Sequence, residues 1–143
     1  MATRFQRWAL TLLRVGLGGL MLWWGLNKIV DPDLSADISD IFYFDLFEAE
    51  LLSLVFGIAQ TGLGAMVIIG LWRGIAYPVM TVILGFTLAS TWYAVIDPFG
   101  WWLPAQVDFP FTQLFYPSIV NFAGALVLWS QMDNDRWAID QIL

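Results

Sequence analysis

The chain of 143 residues contains no cysteine and no histidine. Without cysteine there can be no disulfide, thiolate metal site or thiol nucleophile. Without histidine the commonest haem and zinc ligand is missing, and so is the usual general base near neutral pH. Charge is scarce too: 13% of residues are Asp, Glu, Lys or Arg, against roughly 25% in a soluble domain. Six Lys and Arg face twelve acids, a net charge of −6, so a basic surface for nucleic acid phosphates is excluded. Five scattered methionines do not suggest a copper or haem site. No covalent or metal cofactor is expected, and no nucleic acid partner.

Apolar side chains are abundant, at 59% of the chain. A water-soluble fold of this length needs more polar residues to cover its core, so the expected solvent is lipid. Four apolar segments carry this reading, at about 8–30, 49–72, 75–96 and 112–131. The first, at 1.5 Å per residue, reaches roughly 30–35 Å, enough to cross a hydrocarbon core. It is too long for a signal-peptide core, holds Arg14 and lacks a small-x-small cleavage site, so it reads as a retained span. Asp31-Pro32 and Asp97-Pro98 stop the first and third segments, because proline disfavours helix at the residue before it. Arg73-Gly74 reads as a very short turn, with Pro78 in the first turn of the third helix. The connections imply an all-α membrane protein: an antiparallel four-helix transmembrane bundle, one domain over 1–143.

Arg4, Arg7, Arg73 and Arg136 fall on one side of this bundle, and Lys28 with nine of the twelve acids on the other. The positive-inside rule then places both termini in the cytoplasm. The acidic, aromatic stretch Asp33–Glu50 is expected to lie at the membrane surface. In the stretch Phe99–Phe111, Trp101 and Trp102 suit the headgroup zone. Asp133 to Arg136 are expected to return to water, followed by a short surface helix over Trp137–Leu143.

The first segment organises the rest. Arg14, Gly18, Met21, Gly25 and Lys28 recur at alternating four- and three-residue steps, which puts them on one stripe of an α-helix. Gly18 and Gly25, with Gly57, Gly64, Gly85 and Gly124, are expected at close helix–helix contacts, where small residues let backbones approach. Arg14 has two readings. It snorkels toward the cytoplasm on its long stem, or it anchors a ligand or pairs with polar groups such as Gln60, Thr61 and Asn121. No acid falls inside a span, so an internal salt bridge is not expected. Lys28 is an interfacial anchor beside Asp31 or Asp33, or a cationic lip over a pocket beside Trp24 and Asn27. Gln60 and Asn121 carry amides that need partners in lipid. Arg14, Trp24, Lys28, Gln60 and Asn121 are therefore the candidate ligand contacts, and none of them is assigned a catalytic role.

Leu12-Leu13-Arg14, Gly18, Trp24-Gly25 and Lys28, then Gly57-Ile58-Ala59-Gln60, Gly64 and Gly70-Leu71, resemble the first two spans of the DoxX family of small bacterial membrane proteins. The resemblance covers about half of the chain. It implies a four-helix bundle in the bacterial cytoplasmic membrane, associated with oxidoreductase systems such as thiosulfate:quinone oxidoreductase. Gln60 stands where the resemblance implies glutamate, and Trp24 where histidine is frequent. Two readings of function follow. One is an accessory subunit of an electron-transfer or oxidoreductase complex, with quinone or lipid as its ligand class. The other is a scaffold subunit packed against a large membrane assembly.

Overall fold

A computed structural model describes residues 3–33, 50–103, 113 and 115–141, and no strand occurs among them. The helices are α1 (Arg4–Val30), α2 (Glu50–Ile69), α3 (Arg73–Ser90), α4 (Trp92–Ile96) and α5 (Ser118–Ser130). Two 3₁₀ turns, Met132–Asn134 and Ile139–Gln141, follow. α1, α2 and α3 are long and apolar enough to cross a membrane. α5 has 13 residues, about 20 Å at the helical rise, short of a hydrocarbon core of about 30 Å. The expected start of the fourth segment at Thr112, the surface segment after Asp33 and most of the stretch after Leu103 lie outside the described residues.

Element ends differ from expectation for local reasons. α1 starts four residues early because the Thr3 side chain caps it, accepting the Gln6 N–H at 3.1 Å. α2 stops at Ile69 rather than near Trp72, because Gly70 takes a left-handed φ of +72°. The Gly70 N–H then reaches the Val67 carbonyl and the Leu71 N–H reaches that of Met66, the paired bonds of a Schellman ending. The turn into α3 is therefore Gly70–Trp72, and Arg73 already belongs to the helix. Pro78 consequently lies in the second turn of α3.

The third segment is broken at Thr91, between α3 and α4. The Thr87 and Thr91 hydroxyls donate to the carbonyls four residues earlier, at 3.1 and 2.7 Å, a habit that bends helices. The Thr91 hydroxyl also lies 3.3 Å from that of Ser118, tying the break to α5.

The α1 stripe faces inward, with Arg14, Gly18, Met21 and Gly25 buried and Lys28 half-buried. α1 packs along α2 through an antiparallel glycine register. A Cβ on Gly18 would lie 2.9 Å from the Gly64 carbonyl oxygen, and one on Gly25 would lie 2.9 Å from that of Gly57. Both pairs are seven residues apart on their own helices, so two turns of each backbone run in close contact. α3 packs on α5, where Phe122 fills the notch at Gly85, and Leu13 of α1 lies over Gly124. Leu10, Leu17, Met21, Val67, Tyr77, Met80, Leu84 and Leu128 form the shared core.

Candidate functional site

The densest polar constellation gathers at one end of the bundle. Arg14 is carried there by the α1 stripe and is only 4% exposed. Its partner comes from the tail. Arg14 Nη1 donates to Asp135 Oδ2 at 3.3 Å, and Nη2 donates to the Trp137 carbonyl at 3.0 Å. The Tyr77 hydroxyl, from α3, donates to the same carboxylate oxygen at 2.7 Å. Asp135 is fully buried. This corrects the sequence-based expectation that an internal salt bridge is absent and that Asp135 returns to water. The acid is outside every helix, but the tail folds back and inserts it.

Arg73 completes the arrangement. Its Nη1 donates to the Met132 and Asp135 carbonyls at 2.7 and 2.9 Å, and its Nε lies 3.5 Å from Asp140 Oδ2. Asp140 also accepts the Trp72 and Arg73 backbone N–H groups at 3.0 and 2.8 Å. A carboxylate from the tail thus caps the start of α3, where free N–H groups favour an anion. The same bonds hold Trp72 at a left-handed φ of 49°, uncommon for a bulky residue. Gly70 is close-packed for a second reason: a Cβ there would collide with Arg14 Nη1 and Ala138.

The Arg73 N–H holds the Asp140 carboxyl below the usual carboxylate range. Desolvation opposes this, while the Trp72 N–H and the Arg73 guanidinium add to it. A carboxyl depressed on folding stabilises the docked tail above its unfolded pKa, and that contribution disappears as pH falls through the folded value. Amide-exchange protection factors at Trp72 and Arg73 are therefore expected to fall as the pH drops below about 4. In Asp140→Asn they should be low throughout. Protection that is flat with pH in the wild type would contradict this role.

The other candidate residues do not converge on this cluster. Lys28 lies fourteen residues beyond Arg14 on α1, about 21 Å along the axis. Its Nζ donates to the Trp24 carbonyl at 3.3 Å and stands 5.7 Å from the centre of the Phe56 ring. Trp24 stacks on Phe115 at 6.3 Å, beside Ala94. Gln60 lies between the two ends. Its amide N–H₂ faces Met21 Sδ at 3.9 Å, and its carbonyl oxygen is buried without a partner among the described residues. Asn121 is half-buried on α5. Among the described residues no group of three His, Cys, Asp or Glu could hold a metal ion.

Tyr77, Arg73, Asp135 and Asp140 were not singled out from sequence. The available signal was the side of the membrane: Asp133, Asp135 and Asp140 are the three acids assigned to the arginine-rich end. At the opposite end Asp97 has a comparable structural role. Its carboxylate accepts the N–H groups of Trp101, Trp102 and Leu103 at 2.7–2.8 Å. Desolvation works against its ionisation, and these N–H groups outweigh it and hold the carboxyl low.

No curated protein and no solved structure matches the chain. A family model described as methylamine utilisation protein MauE matches residues 6–99. That stretch is about two-thirds of the chain and runs from the first turn of α1 through α4, with Arg14, Trp24, Lys28, Gln60, Arg73 and Tyr77, and it ends before α5 and the tail. With three apolar helices of membrane-crossing length, the chain is a membrane protein, and it belongs to the MauE family.

Proposed function

We propose that the chain is a small integral-membrane accessory subunit of an oxidoreductase system for methylamine utilisation, acting by assembly rather than by chemistry of its own. The family description supplies the link to methylamine. Releasing ammonia from methylamine by oxidation of its carbon requires an electron acceptor, which fits the expected association with an electron-transfer complex. The observation that carries the structural role is the commitment of Arg14, Tyr77, Asp135, Arg73 and Asp140 to one another and to the tail backbone. Asp135, the acid at the centre, is fully buried, an arrangement suited to holding a fold together.

The proposal includes a four-span, DoxX-like topology in a bacterial inner membrane, in which α5 forms the core of the fourth span. Both termini then lie in the cytoplasm. In support, Gln6 bonds to Gln131 at 3.2 Å and Trp8 packs on Trp137 at 4.6 Å, so the start of α1 and the tail share one end with Arg73.

Quinone handling is less well supported by the geometry, because Arg14 and Lys28 are about 21 Å apart along α1. Purification from native membranes in mild detergent, followed by native mass spectrometry, tests the reading. The expected result is a stoichiometric complex with a larger oxidoreductase partner and no stoichiometric quinone. A chain that purifies alone, or with one quinone per copy, would overturn it.

A further inference from the structure

The loop that follows α4 is built around a carboxylate. Asp97 is 3% exposed, and its two oxygens accept the successive N–H groups of Trp101, Trp102 and Leu103 at 2.7–2.8 Å. The Gly100 N–H closes the turn onto the Asp97 carbonyl at 3.2 Å, with Gly100 at a left-handed φ of +66°. Successive N–H groups of this kind form a cradle for an anion, and here the chain supplies the anion itself. The aromatic side chains of the loop are on the outside. Trp101 and Trp102 are 71% and 74% exposed. Trp101 stacks on Phe99 at 4.9 Å and meets Trp102 edge to face at 6.1 Å, so the rings are arranged against one another as well as held by the backbone.

Charge, continuity and depth together say what this surface meets. From Trp92 to Leu103 the only Asp, Glu, Lys or Arg is Asp97, and it is buried, so the surface offers rings and no charge. It also continues the lipid-facing exterior. Val82 and Phe86 of α3, then Trp92 and Ile96 of α4, are exposed, and α3 is long and apolar enough to cross a membrane. α3 and α4 run from Arg73 to Ile96, about 35 Å at the helical rise, against a hydrocarbon core of about 30 Å. With Arg73 at one boundary, the loop stands at the other, where indole rings with one polar edge are favoured.

We propose that loop 98–103 is an interfacial foot: the buried Asp97 carboxylate presets the Phe99, Trp101 and Trp102 rings, which seat in the headgroup boundary of the lipid bilayer and set the depth of α3 and α4. Rings ordered before they meet the bilayer lose little freedom there. Asp97 acts only through the loop backbone, as a positioning residue. The surface is independent of the accessory role above.

The test uses the full chain, without partners, in phosphatidylcholine nanodiscs. Because the chain has no cysteine, Phe99→Cys, Trp102→Cys and a reference, Val82→Cys, each carry a single spin label. Its depth is read from relative accessibility to oxygen and to a water-soluble nickel chelate. Val82 is nine residues after Arg73, about 14 Å, so its label should lie near the midplane. Labels at Phe99 and Trp102 are expected about 15 Å from the midplane, at the edge of the hydrocarbon. Asp97→Asn replaces one acceptor oxygen by a donor. Amide exchange at Trp101, Trp102 and Leu103 should then accelerate roughly tenfold, as for one lost charge-assisted bond, and the label at Trp102 should spread in depth. Slow exchange of the same amides in the unlabelled wild type is a readout that depends on no variant folding. Labels at Phe99 and Trp102 in bulk water would overturn the proposal, and shielding that arises only in a native complex would assign the surface to a protein partner instead. Unchanged exchange and depth in Asp97→Asn would overturn the positioning role.

Discussion

Asp135→Leu is expected to destabilise the folded protein by about 3–5 kcal/mol, the usual cost of removing one partner of a buried ion pair. The substitution leaves the Arg14 guanidinium, only 4% exposed, with the Trp137 carbonyl as its remaining hydrogen-bond partner, and leaves the Tyr77 hydroxyl without its acceptor. Arg14→Met, Tyr77→Phe and Asp135→Leu made together should recover most of the loss. Apolar groups of similar volume avoid the desolvation that the charges suffer. Equilibrium unfolding in mixed micelles, followed by helix content, measures both. A second readout is local: Arg136 is exposed, and tryptic cleavage after it should accelerate in Asp135→Leu, because the tail has lost its deepest anchor. A loss below about 1 kcal/mol in the single variant would put the pair among surface bridges of little consequence and remove the argument that the tail holds the bundle end closed.

The second large effect concerns the α1–α2 seam. Gly64→Leu is expected to cost about 3 kcal/mol or more, at the upper end of overpacking. Its Cβ would lie 2.5 Å from the Leu22 amide nitrogen and 2.7 Å from the Gly18 carbonyl oxygen. Both are backbone atoms on a packed helix, so they cannot rotate aside, and the two helices must separate along their length. Gly25→Leu should behave alike, since its Cβ would lie 2.5 Å from the Thr61 amide nitrogen. Gly16→Ala and Gly62→Ala are the controls. Nothing lies within 4 Å of either Cβ, and alanine gains up to about 1 kcal/mol over glycine inside a helix. The comparison requires only unfolding curves for four single variants. Equal destabilisation at all four positions would mean that glycine matters there through backbone flexibility rather than helix approach.

The polar inventory of the bundle divides along the same line as these two predictions. The glycine contacts join α1 to α2 by close packing, which needs only small residues at matching intervals. The Arg14–Asp135–Tyr77 cluster joins α1, α3 and the tail by charge, which needs each group to arrive from a different region of the chain. Loss of the glycine contacts should separate α1 from α2. Loss of the cluster should first free the tail, because Asp135 and Trp137 both belong to it.

Much of the first kind of information was legible in the residues themselves. Scarce charge and long apolar runs set lipid as the solvent. The alternating steps from Arg14 to Lys28 identified the inward stripe of α1, because side-chain direction along a helix follows from its period alone. The seven-residue intervals Gly18 to Gly25 and Gly57 to Gly64 carried the register of the seam. Local endings were less visible. Gly70, one residue after Ile69, is an ordinary helix-ending signal that an unbroken apolar run to Trp72 concealed, and the break at Thr91 depends on hydroxyls whose rotamers no spacing reveals.

The identity of Arg14's partner was decided only by the tertiary structure. Asp135 is 121 positions away in a polar segment whose composition is equally suited to facing water. Helical periodicity is a local property and can be counted from residue to residue. Whether a tail turns outward or folds under a bundle depends on the whole balance at that end: the cost of leaving Arg14 unpaired, the capping of α3 by Asp140, and the close packing of Ala138 at Gly70. That balance exists only once the helices are assembled.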